Sequence, residues 1–175
     1  MNPDELKQKL INAIEQLFSH DKYLLENDIN ERTIAHRLAL YLDPLFPGLD
    51  VDCEYNGNVD ADNKRKYINV LQYRANEPGI PRERNNNDDD STRRVYPDII
   101  IHKRGINSQN LLIIEIKKST NKDLGDYDHF KLSTYTGKDN ENTFPYPYGL
   151  FMYLNIGPTP GYHLEWYRDG VVMDL

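Results

Sequence analysis

The sequence predicts an α/β fold in which a mixed central sheet of about four to five strands is flanked by helices. Three observations carry this expectation. Apolar residues recur at helical spacing up to residue 43, two continuous Ile/Leu runs flank a polar loop at 97–118, and a helix-then-strand pattern follows up to 155. Continuous rather than alternating apolar runs mark strands covered on both faces, as in the middle of a sheet packed by helices.

At 175 residues and 20.5 kDa the chain is expected to form one domain spanning 1–175. The single cysteine, Cys53, excludes an intramolecular disulfide and a four-cysteine zinc site, and suits a reducing cytoplasm. No run approaches the ~18 apolar residues of a membrane span. Charged residues are 28% of the chain and mean hydropathy is −0.77, but hydrophobic residues still supply 38%, enough for a folded core. A net charge of −7 argues against a broad basic surface that coats nucleic acid without regard to sequence. The basic residues are nevertheless bunched: Lys64-Arg65-Lys66, Arg82 with Arg84, Arg93-Arg94, and Lys117-Lys118 with Lys122.

In chain order, Pro3 suits a first helical turn, and Leu6, Leu10, Ile14, Leu17 and Phe18 form an apolar stripe behind it. Asp28 and Glu31 stand at capping-box spacing before Ile34, Ala35, Leu38 and Leu42, and Pro44 and Pro47 end the pattern, giving a second helix over about 29–43. Residues 51–56 and 67–73 have strand composition. The stretch 76–94, rich in Pro, Gly, Asn and Asp, is expected to be a mobile loop, either an inert insertion or a gating flap. Residues 96–119, YPDIIIHKRGINSQNLLIIEIKKS, read as a hairpin at the heart of the fold. A helix ended by Gly137, a strand over 148–155 and a last hairpin turning at Asp169-Gly170 complete the chain.

The central hairpin carries the chemistry. If it pairs about its loop midpoint, partner numbers total about 213 or 214, which sets Asp98 opposite or beside Glu115. Alternation puts Lys117 on the same face as Glu115, with Ile114 and Ile116 facing the other way. Burying two acids and a lysine among Ile and Leu costs several kcal/mol per unpaired ion, which function explains better than stability.

These residues resemble the PD-(D/E)XK nuclease superfamily, the restriction-endonuclease-like fold: Pro97-Asp98 opens one strand and Glu115-Ile116-Lys117 closes its partner. The resemblance covers roughly residues 29–155 and includes the order helix, three strands, helix, strand, with Glu31 on the first helix. It implies a metal-dependent nuclease, with Asp98 and Glu115 holding Mg2+ (Mn2+ as a substitute) and the backbone carbonyl of Ile116 as a third ligand. Lys117 would act as base or charge stabiliser, and Glu31 as an orienting or second-metal acid. Glu31 also reads as a helix-capping residue.

Lys131 resembles a basic position on the helix after the catalytic strands and is read either as a substrate contact or as a solvated helix charge. Tyr96 and Lys118 flank the acids and serve either the substrate backbone or packing. The expected partner is nucleic acid, DNA more than RNA, with a homodimer or a partner protein supplying specificity. No nucleophile elbow, phosphate loop or histidine metal pair appears among His20, His36, His102, His129 and His163. The rival expectation is a catalytically silent or partner-dependent binding module of the same fold.

Overall fold

The computed structural model describes residues 1–57, 67–69, 92–123, 125–138 and 145–174. Helix α1 (Pro3–His20) starts where Asn2 accepts a hydrogen bond from the Asp4 amide, and its stripe of Leu6, Leu10, Ala13, Ile14 and Leu17 is buried. A five-residue helix α2 (Lys22–Glu26), which periodicity did not signal, turns the chain toward α3 (Glu31–Leu42). The cap of α3 is Asn30, whose Oδ1 accepts from the Thr33 amide at 2.8 Å, so Glu31 is the first helical residue and the expected Asp28 cap is displaced by two positions. Asp28 adopts a left-handed backbone (φ 52°) and directs its carboxylate elsewhere.

The strands are β1 (Asp50–Cys53), β2 (Tyr67–Asn69), β3 (Thr92–Arg94), β4 (Ile99–His102), β5 (Leu112–Lys118), β6 (Tyr148–Asn155), β7 (Gly161–Arg168) and β8 (Val171–Met173), with helix α4 (Asp126–Thr136) between β5 and β6. Six of them form one mixed sheet in the order β1-β4-β5-β6-β7-β8, one or two strands more than expected, because the C-terminal hairpin pairs onto β6. Strands β2 and β3 form a separate antiparallel pair. Residues 92–94 are therefore strand rather than loop, and the remainder of the expected loop, 76–91, lies outside the described residues.

The central hairpin pairs Ile99 with Ile114, Ile100 with Ile113 and Ile101 with Leu112, the first of the two expected registers. β5 and β6 are parallel, as a helical crossover requires, and every other described pair is antiparallel. Alternation divides the sheet between two apolar layers. Ile99, Ile101, Leu112, Ile114, Ile116, Leu150 and Met152 pack with α1 and α3, while Ile100, Ile113, Phe151 and Tyr167 pack with Leu132 and Tyr135 of α4. Each fully buried Leu or Ile contributes roughly 1.5–3 kcal/mol, so the helices are held by these stripes rather than by intrinsic propensity. The last turn, Asp169-Gly170, has φ of 55° and 82°, as a two-residue hairpin turn of this composition demands. No helix among the described residues is long and apolar enough to cross a membrane.

Candidate active site

The two layers deliver different side chains from β5. Glu115 and Lys117 share the α4 face with Ile113, while Lys118 emerges beside Ile116 on the face of α3. Asp98 immediately precedes β4, and its Oδ2 accepts a hydrogen bond from the Ile116 amide at 2.7 Å. That bond clips the end of one strand to the Glu-Ile-Lys segment of the next, so the carboxylates of Asp98 and Glu115 feel one another directly.

On α4, Asp128 and Lys131 sit one turn apart and both face the strand. The result is a chain of alternating charges. Lys131 Nζ lies 2.7 Å from Glu115 Oε2 and 2.8 Å from Asp128 Oδ1; Lys117 Nζ lies 2.8 Å from Asp128 Oδ2 and 3.5 Å from Asp123. Lys131 is 8% exposed, so the solvated-charge reading of this residue is replaced by a buried ion pair. Lys131 also lies 5.6 Å over the Tyr127 ring, a cation–π contact.

Burial dominates the acids' protonation. It pushes the Glu115 carboxyl up to about 8 and that of Asp98 up to about 6, against the pull of the Lys131 ammonium on both. Asp128, between two lysines, is held below its ordinary range despite its burial, and the lysines' own proton affinity is raised in return.

Glu31 reaches the site from the opposite face. Its Oε1 accepts from the Lys118 amide at 2.8 Å and from Asn121 Nδ2 at 2.6 Å, which ties the start of α3 to the end of β5. Its charge raises the proton affinity of both Asp98 and Lys117, so it belongs to the same electrostatic cluster. Lys118 turns away: its buried ammonium bonds Asp28 Oδ1 at 2.7 Å and the Ile29 carbonyl at 3.0 Å. Tyr96 is 49% exposed, two residues before Asp98. Cys53, half-buried beside Asp98, has its thiol pushed up to about 11 by burial and neighbouring acids, and is an inert thiol.

Asp128, Asp123 and Asn121 were not singled out from the sequence. For Asp128 a signal existed: it stands on the helical stripe of Lys131, Leu132 and Tyr135. Gly125 supplies the turn into α4 with φ +91°, and a Cβ there would lie 2.8 Å from the Phe151 ring.

Comparisons with protein families, with curated proteins and with solved structures find no match. Local geometry therefore carries the functional argument. Among the described residues no three His, Cys, Asp or Glu side chains converge as a metal cluster. Glu115 Oε1 is buried without a hydrogen-bond partner among the described residues.

Proposed function

We propose that the chain is a PD-(D/E)XK-type nuclease that hydrolyses phosphodiester bonds of nucleic acid, DNA in preference to RNA, with Mg2+ or Mn2+ as cofactor. The observation that carries the reading is the charge chain at the end of the central hairpin, where Asp98 is clipped to the Ile116 amide and Glu115 and Lys117 are linked through Lys131 and Asp128 of the crossover helix. The order α3, β1, β4, β5, α4, β6, with β5 and β6 parallel, supports the restriction-endonuclease-like fold that the resemblance implies.

Asp98, Glu115 and the Ile116 carbonyl would hold the cation, which supplies an acidified water and charge neutralisation at the phosphate. Asp98 is held by the Ile116 amide, and Glu115 Oε1 has no partner among the described residues. Lys117, anchored by Asp128, would orient the attacking water or stabilise developing negative charge. Glu31 holds the turn after β5 in place and sharpens the local negative field. Lys131 neutralises Glu115, and Lys118 braces α3 against β5.

The test is cleavage of labelled duplex, single-stranded and branched DNA and RNA with Mg2+ or Mn2+, comparing wild type with Asp98→Asn and Lys117→Ala. Metal-dependent cleavage lost in both variants supports the reading. Equal inertness of all three proteins on every substrate replaces it with a binding module of the same fold, which the existing Glu115–Lys131 pairing would suit.

A further inference from the structure

Given the reading of Asp98 and Glu115 as the cation-holding pair, we propose that Lys131 is a resident counter-cation of that pair, and that Asp128 is the positioning residue that retains Lys131 when a divalent cation enters. Two features point to a hand-over rather than a fixed ion pair. First, Lys131 Nζ is shared almost evenly, 2.7 Å from Glu115 and 2.8 Å from Asp128. Asp128 lies on the same helix as Lys131, and the Tyr127 ring provides a further attraction on that helix, so the ammonium can leave the strand without becoming unpaired. Second, Glu115 is split in its bonding: Oε2 is engaged by Lys131, while Oε1 is buried with no partner among the described residues. A carboxylate designed only for a permanent lysine pair would be expected to satisfy both oxygens.

Lys131 offsets part of the charge of the two buried acids, and cation binding must compete with it for Glu115. Asp128 determines how easily that competition is won. Its second oxygen faces Lys117, so the two lysines draw on one carboxylate.

The experiment titrates Mn2+ into the full chain without nucleic acid, at mildly alkaline pH, read by calorimetry and by the paramagnetic signal of free Mn2+. Lys131→Gln is expected to bind roughly tenfold tighter than wild type, and Asp128→Asn roughly tenfold weaker, since Lys131 then has only Glu115. The decisive protein is the double variant. Under a hand-over it binds as Lys131→Gln does, because Asp128 acts through Lys131; binding at the wild-type level means independent through-space charge effects and overturns the proposal. Circular dichroism checks that each variant is folded. Should Lys131→Gln not fold, Asp128→Asn decides alone, and unchanged Mn2+ affinity overturns the hand-over. Wild-type binding that depends on Asp98 but is matched by Lys131→Gln removes only the hand-over, whereas no binding by any variant, or binding indifferent to Asp98→Asn, removes the nuclease reading itself.

Discussion

The carboxylate of Asp98 is fixed by the backbone amide of Ile116, 2.7 Å away on the neighbouring strand. A side chain held by main chain keeps its place when its charge is removed but its shape is kept. Asp98→Asn, with an amide oxygen available to the same N–H, is therefore expected to melt within about 1 kcal/mol of wild type while losing cleavage. Asp98→Ala leaves the amide unpaired and should cost an additional 1–3 kcal/mol or so. Urea denaturation of both variants, beside the cleavage assay, checks this; equal destabilisation would mean that the bond contributes nothing.

The buried acids set the pH dependence of the metal-free fold. Glu115 binds its proton more tightly in the folded chain, at about 8 against an ordinary 4.5, and Asp98 does so at about 6 against 3.8. The folded state thus holds more protons across this interval, and the stability this contributes is complete below the ordinary values and lost as pH rises through the folded ones. Thermal melts in chelator should show Tm falling from about pH 4.5 to about pH 8 from this source. Glu115→Gln should flatten the upper part of that slope.

Gly125→Ala combines a left-handed backbone with a Cβ driven to 2.8 Å from Phe151. The substitution is expected to destabilise the fold by roughly 1–3 kcal/mol. Because Gly125 leads into the helix bearing Asp128 and Lys131, it should also lower kcat more than it raises KM. A thermal melt paired with steady-state kinetics distinguishes this from simple loss of folded protein.

Lys118 and Lys117 are adjacent in sequence and opposite in fate. Lys118→Met removes the bonds to Asp28 and the Ile29 carbonyl, so stability should fall by about 1–2 kcal/mol with little change in KM for any nucleic-acid substrate. Lys117→Ala should instead lower kcat by about 10²–10⁴-fold, more than the stability lost with its Asp128 ion pair accounts for. If Lys118→Met weakened substrate binding and spared stability, the bracing role assigned to it would be wrong.

The parts of the fold legible in the sequence were those encoded locally. Strand β6 has the boundaries its apolar run gave, the Asp169-Gly170 turn is where its residue pair demands, and the hairpin register follows from placing its polar loop. What escaped depends on longer-range choices. Asn30 and Asp28 are equally good caps by residue type; Asp28 is instead drawn to Lys118, 90 positions away. The strand count came out low because nothing local tells whether a terminal hairpin joins an existing sheet. In the candidate site, Glu115 and Lys117 stand out as polar residues in an apolar strand and Asp98 just ahead of another, whereas Asp128 is hidden in a helix where polar residues are ordinary.

The parallel pairing of β5 with β6 has a kinetic consequence. The antiparallel neighbours β4–β5 and β6–β7–β8 join through connections far shorter than the crossover, so each unit can form from contacts near in sequence, but joining them requires closing the whole segment from Lys118 to Tyr148. Asp98, Glu115 and Lys117 belong to the first unit, and Asp128 and Lys131 arrive on the crossover itself. Lys131 meets Glu115 across only 16 positions, so these charges can pair before β6 docks, and lengthening the crossover beyond Thr136 should slow only the β5–β6 closure, by roughly threefold per doubling of the loop.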